Sequence, residues 1–115
     1  MTVKDTYTMT PSNVTGTEPI AFDLLGDNIV SVSWVDTSVT CSSSNIGTAI
    51  LLGRLPEKYR PKRQKWFTQA YSLNHDKGRQ TSLRIMTNGQ VSLMCWWTGT
   101  KQATPCVFSG VYLIK

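Results

Sequence analysis

Ionisable side chains are scarce in this sequence. Asp, Glu, Lys and Arg make up 17% of its 115 residues, and histidine occurs once, as His75. That scarcity weighs against an enzyme. No Ser-His-acid set is supported by a motif, and Gly-x-Ser-x-Gly is missing. The few acids are scattered, so no pair of carboxylates is placed for glycosidic cleavage. Glycines such as Gly78, Gly89, Gly99 and Gly110 stand singly, not in a phosphate-cradling cluster. His75 falls in a loop tip, where a solvated turn residue is the simplest reading. The three cysteines, Cys41, Cys95 and Cys106, are odd in number and lack Cys-x-x-Cys spacing, which argues against a disulfide framework or a zinc site. Cys95 and Cys106 could in principle pair, but buried thiols packing as small hydrophobes are the better reading. Neither a metal nor another cofactor is expected. No apolar run is long enough to span a membrane, so membrane insertion is not expected. Met1–Asp5 is no apolar signal region, so Asn13-Val14-Thr15 reads as an incidental sequon. No window sustains a capped 3.6-residue apolar period, so little helix is expected.

What is abundant is β-branched: Thr and Val, which favour strands. The length suits one domain with its own core. Residues 1–18 are polar and read as a lead-in segment or, over Val3–Met9, an edge strand; residues 19–115 read as the domain. Pro19–Leu25 is a short strand, and Gly26-Asp27-Asn28 a turn. In Ile29–Val35, Val30, Val32 and Trp34 alternate with Ser31 and Ser33, the period of a half-buried strand. A short strand is placed near Ser38–Ser42, and a clear one at Ile46–Leu52. In Trp66–Leu73 the set containing Phe67, Tyr71 and Leu73 faces the core. Asn74–Gly78 is a longer hairpin loop. Asn88-Gly89 between Ser82–Met86 and Val91–Trp97 signals a tight hairpin. A two-residue turn there sets Met86 opposite Val91 and Ile85 opposite Ser92. Trp97–Pro105 is a loop, and Cys106–Ile114 the last strand. Eight or nine short strands at this spacing predict an all-β fold, an antiparallel two-sheet sandwich, jelly-roll-like.

Charge is unevenly spread. Residues 1–53 hold Lys4 and five acids, a net −4, whereas residues 54–115 hold eleven Lys and Arg against Glu57 and Asp76, a net +9. Six of the twelve cations lie in 54–67: Arg54, Lys58, Arg60, Lys62, Arg63 and Lys65. Pro56 and Pro61 make that segment a stiff, largely extended connector between strands. Such asymmetry suits a nucleic-acid or anionic-polymer surface, a contact between subunits of opposite charge, or simply a solvated basic loop. Tyr59, Arg60, Lys62, Arg63 and Trp66 are the binding or interface candidates here. A further one is Trp96. Trp96 and Trp97 point to opposite faces of one strand. Trp97 shares its face with Val91, Leu93 and Cys95 and reads as internal. Trp96 shares its face with Ser92 and Met94 and reads as the outward ring, suited to a neighbouring subunit or to a sugar face.

The string Leu55-Pro56-Glu57-Lys58-Tyr59-Arg60-Pro61 between two strands, followed by Thr87-Asn88-Gly89-Gln90 and the apolar ending Ser109–Ile114, resembles the C-terminal β-domains of tail-tip and baseplate proteins, upper baseplate or receptor-binding, of phages infecting Gram-positive bacteria. The likeness covers roughly residues 46–115, with Lys58 where glycine is expected. It implies a virion location, a homotrimer, other tail proteins as partners, and attachment to host cell-wall saccharide or a role in holding the receptor-binding proteins. A different reading takes the cations and aromatics of 54–67 as the groove of a small barrel that binds single-stranded nucleic acid. Nucleic acid is the less favoured partner, because the prolines confine the cations to a loop.

Overall fold

The computed structural model describes residues 2–16, 18–36, 39–41, 48–68, 81–95, 102–103 and 106–114. Among these residues ten strands are formed: β1 (Val3–Met9), β2 (Ile20–Leu25), β3 (Ile29–Asp36), β4 (Thr40–Cys41), β5 (Thr48–Arg54), β6 (Lys65–Thr68), β7 (Thr81–Ile85), β8 (Gln90–Cys95), β9 (Gln102–Ala103) and β10 (Cys106–Leu113). They form two antiparallel four-stranded sheets, β1-β2-β3-β10 and β5-β8-β7-β6, with β4 and β9 as a small separate pair. The chain is therefore the all-β two-sheet sandwich that its strand pattern predicts. The second sheet has Greek-key order, the unit from which jelly rolls are assembled. Among the described residues the sole helical turn is a short 3-10 turn, Glu57–Tyr59.

Alternation decides the inner faces. Val30, Val32 and Trp34 of β3 are buried while Val35 is exposed. Cross-strand partners Trp34 and Phe108 stack with ring centroids 6.1 Å apart. The Trp34 indole N–H donates to the Glu18 carbonyl, so its one polar atom is satisfied inside. Leu52, Phe67, Leu83, Ile85, Val91 and Leu93 of the second sheet join the same apolar cluster. Cys106 is buried there as well. At each side of the sandwich a glycine lets the layers close: Gly53 lies against Met9, and Gly110 against the Phe67 ring.

Of the two readings of Val3–Met9, the strand is formed: it pairs with β2 at the sheet edge. Other local expectations change. Gln102–Ala103, expected within a loop, forms the short strand β9. The Asn88-Gly89 hairpin has a three-residue loop, not two. Ile85 pairs with Val91 and Leu83 with Leu93; the Met86 N–H donates to the Gln90 carbonyl, and the Met86 carbonyl accepts the Gly89 N–H, around Thr87-Asn88-Gly89. Gly89 has φ +93° while Asn88 is not left-handed, the pattern of a turn followed by a glycine bulge. The two-residue register would have placed Ile85 opposite Ser92. One step of slip turns every side chain to the wrong face, so pairing apolar with apolar selects the longer loop. The expected loop at Asn74–Gly78 lies outside the described residues.

Candidate binding surface

The basic corner is anchored before it is exposed. Leu55 is buried, and its N–H donates to the Gly89 carbonyl, tying the corner to the β7–β8 hairpin. Pro56 and Pro61 leave room between them for one turn, not a continuous extended run. The N–H groups of Tyr59 and Arg60 close that turn on the Pro56 and Glu57 carbonyls.

Tyr59, expected at a binding surface, is 1% exposed. Its ring packs 5.8 Å from that of Tyr7, and its hydroxyl donates to Asp5 at 2.8 Å. Its backbone carbonyl accepts the buried Tyr112 hydroxyl at 2.6 Å. Burial and the Asp5 carboxylate push the Tyr59 phenol up to about 12. The Asp5 carboxyl is in turn held below its ordinary value, first by the Lys58 hydrogen bond and then by Tyr59. Tyr59 is thus the pin of the corner and is closed to ligands.

The cations divide into engaged and unengaged. Lys58 pairs with Asp5. Arg60 folds back, its Nε donating to the Leu55 carbonyl at 3.1 Å. Lys62 and Arg63 are exposed and meet no carboxylate among the described residues. With Gln64 and Lys65 they flank a groove of about 450 Å³ whose other wall is Ile29, Val111, Tyr112 and Leu113. Val111 and Leu113 are 55% and 54% exposed, large fractions for aliphatic residues on a strand. A second depression, between the β2–β3 turn and Glu57-Lys58, is mixed in charge, and its Lys4 and Asp27 pair with each other. The groove at Lys62 is the one that presents unneutralised positive charge beside apolar surface, an arrangement that takes an anion with a nonpolar neighbour.

Trp66 lies on the opposite layer. Its cross-strand partner is Arg84, whose guanidinium sits 5.6 Å from the indole centroid, and the ring is 41% exposed. This is a flat aromatic face with a cation beside it, a form suited to stacking. The row continues through Ser92 to Leu51, which is also exposed. Ser92 and Met94 are themselves buried, so the face expected to carry Trp96 is not bare at those positions. Trp96 lies outside the described residues.

The structure therefore gathers Lys62 and Arg63 into one groove, places Trp66 elsewhere, and removes Tyr59 and Arg60 to structural roles. Sequence reasoning missed the groove's apolar wall. Its signal was there: β10 is apolar on both alternating sets, and in a two-layer sandwich one of those sets faces outward. Among the described residues no group of three or more His, Cys, Asp and Glu is placed to hold a metal ion. No helix among them is long and apolar enough to cross a membrane. No protein-family model matches the chain, and no curated protein matches it in sequence.

Proposed function

We propose that this chain is a non-catalytic binding module of a phage tail tip or baseplate, working as a homotrimer. It attaches the particle to host cell-wall saccharide or holds the proteins that do. The observation that carries this reading is the Leu55–Pro61 corner. The string that resembles tail-tip and baseplate domains is also the element whose buried Leu55 and Tyr59 anchor the exposed Lys62 and Arg63. A frame that spends its Tyr59 on anchoring and presents unneutralised cations and a half-open Trp66 suits binding rather than bond making. Repetition on one particle would let shallow sites act by avidity.

The test is sedimentation of the labelled domain with purified Gram-positive cell walls and, separately, with tail particles lacking it. Attachment predicts wall binding that Trp66→Ala or Lys62→Glu/Arg63→Glu weakens with the fold intact. Holding predicts incorporation into the particles instead. Binding to neither overturns the reading. The nucleic-acid alternative draws on the same cations, but buried Tyr59 and engaged Lys58 and Arg60 leave it a poor stacking groove. Steeply salt-dependent retention on single-stranded DNA would revive it.

A further inference from the structure

Among the described residues, four strand edges bound the sandwich: β1 and β10 in one sheet, β5 and β6 in the other. Exposed edges invite pairing with foreign strands, and folded proteins blunt them with bulges, charges, short strands or covering segments. Three of the four edges here are treated that way. β1 has an irregularity between Val3 and Asp5 and carries the Lys4–Asp27 pair. The chain after β1 covers β5: the Ser12 N–H donates to the Leu52 carbonyl, and the Asn13 side-chain amide to the Leu51 carbonyl. β6 includes Lys65.

Among the described residues β10 carries no bulge, charge or proline, and a covering main-chain bond meets it at the Leu113 end alone. It runs eight residues, Cys-Val-Phe-Ser-Gly-Val-Tyr-Leu, without charge or proline, and every residue stays in register with β3. The Ile114 N–H reaches the Asn28 carbonyl on the β3 side, so Leu113 turns its main chain the other way, where its carbonyl accepts the Lys62 N–H at 2.8 Å. Ser109 and Val111 turn their main chains the same way as Leu113. No partner for them occurs among the described residues. The open edge thus ends at the groove where Lys62 and Arg63 stand over Val111 and Leu113.

We propose that this edge is a strand-addition site for an extended acidic peptide of a partner protein. The peptide's main chain pairs with Ser109 and Val111. Its apolar side chains lie beside Val111 and Leu113, and its carboxylates meet Lys62 and Arg63. Antiparallel addition puts the peptide's N-terminal residues at the Leu113 end, so its acids precede its apolar residues. A second copy of this chain fits poorly. Asp5 and Asp27 are taken by Lys58 and Lys4. Pairing of two β10 strands would bring the cations to the Cys106 end, where the opposing acid, Asp36, is buried. A polyanionic polymer would use the cations but has no use for a main-chain edge.

The experiment titrates the domain with a fluorescein-labelled peptide, Asp-Glu-Asp-Val-Thr-Val-Thr, followed by anisotropy. A second peptide is N-methylated at the residues that face β10, and polyglycerol phosphate serves as the polymer probe. The site predicts saturable binding of the first peptide, none of the methylated one, and a loss of about tenfold or more in Lys62→Glu/Arg63→Glu. Val111→Pro removes an outward N–H and should abolish binding while preserving the β3 pairing, which circular dichroism checks. Equal binding of the methylated peptide overturns the proposal, as does tighter binding of the polymer that Val111→Pro leaves unchanged. Self-association lost in Val111→Pro would assign the edge to a second copy instead. No binding of the parent peptide at low salt also rejects it.

Discussion

The hydroxyl of Tyr112, on the last strand, donates to the backbone carbonyl of Tyr59, in the corner, at 2.6 Å. Both residues are buried, and they lie 53 positions apart. The bond fastens the edge strand β10 to the element that carries Lys62 and Arg63. Tyr112→Phe keeps the ring and leaves a buried acceptor unmatched. A loss of about 1–3 kcal/mol is expected in urea denaturation. A change within about 0.5 kcal/mol, the range of an ordinary surface substitution, would show that the bond does not hold the corner.

Stability should fall at both ends of the pH scale, for opposite reasons. Asp5 has a lowered carboxyl, so its contribution is complete above about pH 4 and fades as pH falls through its native value. Tyr59 has a raised phenol, so its contribution is complete below about pH 10 and is lost as pH climbs toward its native value of about 12. Urea midpoints measured across pH should therefore give a plateau with two falling limbs. Tyr59→Phe should make the alkaline limb shallower without removing it, because burial also raises the Tyr112 phenol. An unchanged alkaline limb in that variant would assign the effect to other groups.

Gly110 marks where the two layers meet at the β10–β6 side. A methyl group there would run into the Phe67 ring. Gly110→Ala should cost about 1–3 kcal/mol through overpacking, and Phe67→Leu in the same chain should recover part of it. Thermal melts of the two single variants and the double variant measure the coupling. Strict additivity would contradict the contact.

Gly89 is the hinge of the hairpin to which the corner is tied. Its φ is +93°, and an added Cβ would meet the Leu55 carbonyl and the Arg60 side chain, each at 2.8 Å. Gly89→Ala should therefore destabilise by about 1–3 kcal/mol, from strain and from displacement of a backbone acceptor. Asn88→Ala removes only the side-chain acceptor of the Gln90 N–H and should cost about 0.5–1.5 kcal/mol. Equal losses in the two variants would argue against the left-handed glycine as the critical position.

Much of the architecture could be read from residue order alone. Alternation in Ile29–Val35, the Asn88-Gly89 turn and the absence of a helical period follow from side-chain direction and backbone sterics, which act over a few residues. Those features decided that the chain is all-β and which face of β3 is inside. They also located the concentration of positive charge. Three matters lay beyond them. The hairpin register depended on pairing Ile85 with Val91 across strands. The fate of Tyr59 depended on Asp5 and Tyr112, each more than fifty positions away, so a tyrosine among cations read as surface when it was core. The groove depended on how the layers stacked: Val111 and Leu113 lie on the outer face of their sheet, as exposed Val35 of the central strand β3 does, and the corner was brought beside them. Local pattern determines what a segment can be; neighbours brought together by the fold determine which of its faces and edges remain open.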